Sequence, residues 1–578
     1  MFSRGNDEQT QLLPSMSRNS MFSDIDEQEI VAYVQNRRAS IASVGTGKIP
    51  LQFALHPKVS RANLADSLHA VRSTGTHPDF GGNHDISDIL SVHSNAILKE
   101  PETSFKTESK VLMRYSLPLV VTFLLQYSLT VASVFSVGRL GSTALAAVSL
   151  SSMTANISGY AIIQGVLTCL DTLCAQAFGR KDFNTVGLHF VRCTYLLMLL
   201  YVPMFVLWVF LSRPILSFLV GLEKADLVHL ASKYLQVLSL GLPGFIVFEN
   251  LKHFLQSQGI FHASTYVLLV CAPLNAFLNY LLVWDKRVGL GFIGAPLSVV
   301  ITNWLMCAML MAYTCYVNGY QCLPREKLLS GTYFRNWAKI VNLSVPGVLM
   351  VEAEWLAFEI ITFTASTFGT DVLAAQLIVS TTCVLLYQVP FAISIAALTR
   401  IAWYIGAASK KAALTATRAS LLIALVLGTC NAIVLFLFRR FFASLYTSDE
   451  NVLNIASTVL VIGAIYQIND FLACVSGGIL RGQGRQKIGG ILNLVSYYMI
   501  ALPFAFLFAF YFKLQLVGLW LGMIIALFFV LASQCYFVFV SDWDFIIREC
   551  INEGIAEEGN LHIDAHSAVP AMLSNHLV

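Results

Sequence analysis

The sequence predicts an all-α integral membrane protein with twelve transmembrane helices arranged as two six-helix lobes. Three observations predict this fold: an apolar composition, a succession of long apolar runs, and an internal repeat. Apolar residues make up 56% of the 578 residues and charged residues 12%, against about 45–50% and about 25% in ordinary globular proteins. There is too little polar surface to cover several water-soluble domains. The net charge of +3 argues against a nucleic-acid-binding protein, which concentrates positive charge on one face.

Long apolar runs follow one another from about residue 110 to residue 541. Each is near the length of about 20 residues that crosses about 30 Å of hydrocarbon, and a span with a short loop takes about 36 residues. This stretch therefore has room for about twelve helices. The predicted spans are 111–137, 143–172, 184–211, 228–255, 261–284, 290–316, 334–365, 372–402, 412–437, 452–479, 485–511 and 516–541.

The predicted domains are two polar tails around two lobes. They are a disordered N-terminal tail over 1–106, an N-lobe of helices 1–6 over 107–320, a C-lobe of helices 7–12 over 321–541, and a C-terminal tail over 542–578. The N-terminal tail is rich in Ser, Asn, Asp and His, which bury too little surface to offset the entropy of ordering. Its first thirty residues contain no apolar signal-peptide core, and Lys and Arg concentrate in alternate loops, including Arg180, Lys181, Lys410 and Lys411. Both termini are therefore predicted to be cytosolic.

An internal repeat relates the two lobes. Pro118 matches Pro346 at an offset of 228 residues, and the segment LGSTALAA at 140–147 matches FGTDVLAA at 368–375 at the same offset. A second match pairs LQSQG at 255–259 with LRGQG at 480–484, just before the fifth and the eleventh predicted spans. An even number of spans per repeat gives both copies the same orientation about an axis along the membrane normal. This arrangement is typical of transporters with a cleft between two lobes.

Six acidic residues in or beside the apolar spans are the most informative side chains. An ionised group at mid-membrane costs at least about 2.5–3.5 kcal/mol unless it faces a cavity or a partner. A buried acid beside a second acid can take up a proton near neutral pH, as a proton-driven carrier requires. In helix 7, a spacing of seven residues puts Glu352 and Glu359 on nearly one face, while Glu354 lies about 160° from Glu352. The six are Asp171, Glu249, Glu352, Glu354, Glu359 and Asp470.

Each acid also has a structural interpretation. Glu354, Glu359 and Asp470 would then only hydrogen-bond across helices. For Glu249, an ion pair with Lys252 three residues on and a functional role are both open. Asp171 has possible local partners in Thr172 and Gln176, which favour a structural role.

Polar pairs at helical spacing are candidates for a substrate path. Asn275 with Asn279, and Asn493 with Tyr497, each place two polar groups on one helix face. Such pairs either line a path or hold helices together. Tyr387 and Asp171 complete the candidate cavity residues.

Motifs of enzymes are absent from the sequence. There is no Walker A loop, no HExxH, no recognisable catalytic triad and no paired CxxC spacing, so catalytic residues, a metal and a cofactor are not predicted. The twelve cysteines lie mostly in apolar runs and are interpreted as small buried hydrophobes. The protein is predicted not to be an enzyme.

The N-terminal tail carries two short regulatory motifs. Glu8 with Leu12 and Leu13 has the acidic dileucine form read by sorting adaptors. Ser40 follows Arg37 and Arg38, a context typical of a phosphorylation site. Both patterns also occur frequently by chance.

Three motifs together resemble the multidrug and toxic compound extrusion (MATE) family, and the long polar tail resembles its fungal branch. They are LDTLCAQAFG at 170–179, EWLAFE at 354–359 and GGILRGQGRQ at 477–486. The resemblance covers about residues 107–541. It implies a V-shaped pair of six-helix lobes that exports organic, often cationic, compounds in exchange for H⁺ or Na⁺.

The resemblance also implies roles for particular residues. Eukaryotic members place coupling acids in the C-lobe, and Glu354, Glu359 and Asp470 match those positions. Glu352 matches none, and Ser133 replaces the acid that many bacterial relatives carry in helix 1. The C-lobe is therefore the expected coupling site.

The functional hypothesis is an antiporter that works by alternating access. It would export organic cations against H⁺, with Na⁺ as the alternative ion. A lipid or anionic-metabolite transporter of the same fold is a second alternative, and a non-transporting receptor a third. We expect a monomer whose partners are small organic substrates, the lipid bilayer and, through the tail, a sorting adaptor. The dileucine motif favours the vacuolar membrane over the plasma membrane.

Overall fold

The structure is a computed structural model that describes residues 103–220, 225–324 and 331–557. Twelve long helices follow one another in it, and the prediction of an all-α membrane fold is confirmed. They are α1 (Phe105–Gly138), α2 (Thr143–Gly179), α3 (Phe183–Phe218), α4 (Ala225–Ser239 and Leu242–Ser257), α5 (Ala263–Trp284), α6 (Gly291–Tyr316), α7 (Ala338–Ser366), α8 (Thr370–Gly406), α9 (Lys410–Ser444), α10 (Glu450–Gly482), α11 (Gln486–Tyr511) and α12 (Gln515–Val540).

The helices other than α7 have the length and composition of membrane spans. Ten of those in the described ranges are individually long and apolar enough to cross a membrane, and the two parts of α4, bent by 53°, count as one more. The bend falls just before Pro243, whose ring cannot continue a preceding helix. Helix α7 has 29 residues, about 43 Å at 1.5 Å per residue, and is longer than the hydrocarbon layer.

Several helix ends differ from the predicted spans. Helix α1 begins at Phe105, six residues before the predicted start, because Ser104 caps it by accepting the Thr107 N–H at 3.2 Å. The predicted start of helix 7 at residue 334 is wrong. A short 3-10 turn (Gly331–Phe334) and the left-handed backbone of Asn336 separate that position from the helix.

The described residues include one helix outside the twelve-helix unit, in the C-terminal tail. The chain divides into a unit Pro101–Asp542, which contains all twelve helices, and a second unit that includes a helix over residues 543–557. No element was predicted for that segment. Glu8, Leu12, Leu13 and Ser40 lie outside the described residues.

The backbone repeats its geometry in the two lobes. Gly141 precedes α2 with a φ of 121°, and Gly369 precedes α8 with a φ of 116°, values that residues with a Cβ atom rarely adopt. Lys181 after α2 and Ala408 after α8 are both left-handed, at 64° and 54°. The helix pairs α1–α2 and α7–α8 are therefore built and connected alike.

The lobes meet at the end of the bundle where α1 begins and α12 ends, called the tail side below. Helix α2 packs against α7 and α8, and α1 against α8. Glycines allow this close approach: a Cβ atom on Gly165 would lie 2.4 Å from the Val348 Cα atom, and one on Gly347 would lie 2.1 Å from the Thr168 hydroxyl.

Two of the sequence motifs lie against one another at this contact. The Thr172 hydroxyl donates to the Arg481 carbonyl at 2.7 Å, and the Gln176 amide donates to the Gly482 carbonyl at 3.2 Å. The Gln486 amide donates back to the Thr172 hydroxyl at 2.9 Å. The motifs at 170–179 and 477–486 therefore join the N-lobe to the C-lobe on the tail side.

Gly165→Ala is expected to destabilise the protein. The added methyl group would overlap the α7 backbone, and overpacking of this kind costs about 1–3 kcal/mol. Thermal unfolding of the purified protein in nanodiscs measures the change. The control is Gly331→Ala, because no atom lies within 4 Å of the added Cβ position. Equal midpoints for the two variants would contradict the close packing of α2 on α7.

Candidate transport site

Two acidic side chains lie near each other inside the C-lobe. Asp470 lies on α10, which packs against α8, α9 and α12, and its side chain is 3% exposed. Glu354 lies on α7 and is half-buried. The two carboxylates are close enough to interact electrostatically. The structure therefore brings together two of the three predicted coupling acids, called the acid pair below.

Aromatic and thiol groups surround the acid pair. Tyr387, Tyr466 and Tyr497, from α8, α10 and α11, all lie within electrostatic range of both carboxylates. The Cys474 thiol donates to the Tyr387 hydroxyl at 3.6 Å. Tyr387 and Tyr497 were predicted, but Tyr466 and Cys474 were not. Their positions four residues before and after Asp470 put them on its helix face, and this spacing is a signal that the sequence analysis missed.

Neither carboxylate of the acid pair is hydrogen-bonded to a side chain or backbone group of the residues that the structure describes. Buried polar groups in proteins are normally hydrogen-bonded, and a carboxylate can accept several bonds. The acid pair therefore has free capacity to bind a proton or a cationic ligand.

One positive charge lies near the acid pair. Arg481 is eleven residues after Asp470 on α10, which places both on nearly the same helix face. Its guanidinium interacts electrostatically with Glu354 and donates to the Ser394 hydroxyl at 3.1 Å. The site is thus composed of two carboxyl groups and a guanidinium.

The other two acids of α7 point elsewhere. Glu352 is half-buried, and its electrostatic neighbour is Tyr498 of α11. Glu359 is half-buried too, and within the described part of the chain no charged group interacts with it. Five residues separate Glu354 from Glu359, a rotation of about 140° on a straight helix. The structure therefore does not bring Glu359 into the acid pair.

Asn493 lies in a neighbouring polar cluster of the C-lobe. Its amide donates to the Met350 carbonyl at 3.2 Å, and its oxygen accepts the Gln534 amide at 3.3 Å. These bonds connect α11 to α7 and α12. Tyr497, one turn further along α11, is 2% exposed. Their predicted role as a cavity lining stays a prediction.

Asn275 and Asn279 lie between helices of the N-lobe and have no accessible surface. The Asn275 amide donates to the Thr302 hydroxyl of α6 at 3.0 Å, and the Asn279 amide donates to the Asn275 side-chain oxygen at 3.1 Å. These bonds fit the alternative in which Asn275 and Asn279 hold helices together, rather than the one in which they line a substrate path.

Asp171 of α2 pairs with His253 of α4, with 2.5 Å between the carboxylate and the Nδ1 atom. The expectation that Thr172 and Gln176 satisfy it locally is wrong, because both side chains donate to the C-lobe instead. The contact with His253 joins two helices that are distant in sequence, which spacing along one helix does not reveal.

Glu249 forms the ion pair that was one of its two predicted alternatives. Its carboxylate lies 2.6 Å from the Lys252 ammonium. It also accepts the amides of Gln126 at 2.8 Å and Gln164 at 2.7 Å, from α1 and α2. Lys252 in turn donates to the Gln126 oxygen at 3.2 Å. The charge is compensated and the carboxylate is hydrogen-bonded on both oxygens.

The fold and the sites define a two-lobed membrane transporter. A duplicated six-helix unit forms two lobes, and intramembrane acids line their interior, a combination that serves passage between two sides of a membrane.

The chain belongs to the MatE family, whose sequence profile matches residues 118–281 and 346–507. The two matches begin 228 residues apart, which confirms the internal repeat. An uncharacterized transporter of Saccharomyces cerevisiae, YDR338C, is 40% identical over 83% of this chain and 68% of its own length. The Arabidopsis thaliana protein DETOXIFICATION 16 is 31% identical over 81% of this chain and 96% of its own length.

Solved structures agree with this assignment. The crystal structure of the eukaryotic MATE transporter AtDTX14 superposes with a TM-score of 0.72 at 25% identity, covering 78% of this chain and 99% of that one. The predicted family and its fungal branch are confirmed. The chain is a membrane transporter and not an enzyme.

Glu249→Gln and Lys252→Met are each expected to destabilise the protein by about 3–5 kcal/mol, because each leaves an uncompensated buried charge. The double variant should recover much of this loss, since no charge is then left unpaired. Thermal unfolding in nanodiscs measures all three variants. Glu450→Gln, which breaks an exposed pair with Arg440, is the control. A double variant less stable than both single variants would contradict a compensated ion pair.

Proposed function

We propose that the protein is a proton-coupled antiporter that moves organic cations by alternating access, with the acid pair as its coupling site. The observation that carries this proposal is the mutually interacting pair of half-buried Glu354 and buried Asp470, whose carboxylates have no hydrogen-bond donor among the described residues. Two close carboxyl groups in low-dielectric surroundings resist double ionisation. They therefore bind either a proton or another cation.

The charges around the acid pair fit a cation that competes with one proton. With both acids ionised, two carboxylates and the Arg481 guanidinium leave one negative charge. A single bound proton makes the group neutral. The ionised site attracts an organic cation, and proton binding releases it. Tyr387, Tyr466 and Tyr497 add aromatic faces, which attract cations through their ring quadrupoles.

The N-lobe acids are unsuited to this exchange. Glu249 is neutralised by Lys252 and bonded by two amides, and Asp171 is paired with His253. The alternative of a lipid or anionic-metabolite transporter requires uncompensated positive charge at the site. Arg481 supplies one guanidinium against two carboxyl groups. The charge balance therefore favours a cationic substrate.

The direction of transport follows from the proposed membrane. We propose that the tail side faces the cytosol and that the protein lies in the vacuolar membrane, the location that the dileucine motif favours. An acidic lumen would then drive H⁺ out as substrate moves in. At the plasma membrane the same orientation would give export.

Collapse of an imposed pH gradient in proteoliposomes, on addition of a panel of organic cations, tests the coupling. The wild type is expected to collapse the gradient. Glu354→Gln and Asp470→Asn are expected to show only the leak of protein-free liposomes, because neither variant retains two titratable acids at the site. Glu352→Gln is the matched control, since this acid lies on the same helix but outside the acid pair.

Other outcomes would redirect the proposal. Collapse that persists in both acid variants would overturn coupling through the acid pair. Flux that requires a Na⁺ gradient would replace H⁺ by Na⁺. Flux of anions or lipids in place of cations would establish the alternative substrate class.

A further inference from the structure

A buried ion pair connects the two lobes at the tail-side rim. Glu108 lies in the first turns of α1 and has no accessible surface, and Arg400 lies near the end of α8. The Arg400 guanidinium binds both carboxylate oxygens, with its Nε atom 3.1 Å from one and a terminal nitrogen 2.5 Å from the other. This bidentate geometry is the strongest that an arginine and a carboxylate form.

Further hydrogen bonds complete the environment of Glu108. The Tyr404 hydroxyl donates to it at 2.6 Å, and the Thr103 hydroxyl at 2.7 Å. Arg400 also contacts the Tyr404 hydroxyl. Unlike the acid pair, this carboxylate is fully satisfied. Four donors from two lobes converge on one buried anion.

The neighbouring Trp403 side chain anchors the same end of α8 to the N-lobe. Its indole N–H donates to the Ser257 carbonyl at the end of α4, at 2.8 Å. Its ring lies 5.4 Å from that of Phe178 in α2. A Cβ atom on Gly259 would lie 2.7 Å from the indole. One turn of α8 therefore contacts α1, α2 and the α4–α5 connection together.

We propose that the Glu108–Arg400 pair is the lock of the tail-side gate. It forms when the lobes close on this side and separates when they open to admit substrate. This inference rests on the alternating-access part of the proposed function but not on the identity of the coupling ion.

The burial of the pair explains why such a lock has two discrete states. A buried ion pair is tolerated only when its geometry is complete, since either ion alone in a dry environment is strongly unfavourable. Partial separation therefore costs more than full separation, in which water reaches and solvates both groups. The gate is stable when closed and dry or when open and hydrated, and not between.

Hydrogen–deuterium exchange of the purified full-length protein in nanodiscs, without substrate or gradient, tests the lock. Exchange reports the free energy of local opening. In the double variant Glu108→Gln/Arg400→Gln, the start of α1 and the end of α8 are expected to exchange at least about tenfold faster. Loss of one charge-assisted hydrogen bond already produces a change of this size. Tyr404→Phe, which retains the ion pair, should produce a smaller increase at the same segments.

The double variant separates a gate from a merely structural ion pair. It removes both charges of the pair together, so its thermal midpoint should stay near that of the wild type while tail-side exchange rises. Glu450→Gln, which breaks an exposed pair far from this rim, should change neither. Wild-type exchange in the double variant, or faster exchange spread evenly over all helices, would overturn the lock. If the exchange result holds but Glu354→Gln transports normally, only the proposed coupling fails.

Discussion

The low dielectric of the hydrocarbon layer is the constraint on which the rest of this structure depends. Every ionised group placed in it needs a partner or a function. The N-lobe acids have partners: Glu249 has Lys252, and Asp171 has His253. At the junction of the lobes, Glu108 has Arg400. Glu354 and Asp470 have one another and one nearby guanidinium, that of Arg481, so two carboxylates face a single positive charge.

The two lobes share one backbone plan but differ in how their buried acids are compensated. The left-handed residues recur at matching positions, and the same family profile matches each half. Only the side chains inside differ. In the N-lobe, Glu249 is paired with Lys252 and Asp171 with His253, while in the C-lobe two neighbouring acids, Glu354 and Asp470, interact with one guanidinium. Duplication thus provided a symmetric frame, and the uncompensated acidic charge lies in one half of it.

The fold was predictable because its signals are local and repeated. Apolar runs of membrane-spanning length and a recurring segment before α2 and α8 are visible in the linear sequence. The acid pair was predictable in part, because an acid in an apolar run is conspicuous by itself. Partners on other helices were not predictable. Gln126 binds Glu249 across 123 positions, and Arg400 binds Glu108 across 292. Contacts this far apart in sequence produce no helical spacing from which a partner could be inferred. The rotation that separates Glu359 from Glu354 was available from helix geometry, but the resemblance grouped them.

The contact between the segments at 170–179 and 477–486 gives a different meaning to the motifs by which the chain resembles its relatives. These motifs lie at the joint between the lobes, where Thr172, Gln176 and Gln486 hold the two halves together. The hydrogen bonds across this contact do not involve the carboxylates of Glu354 and Asp470. The two motifs therefore identify the contact between the lobes, and a resemblance that rests on them does not identify the transported substrate.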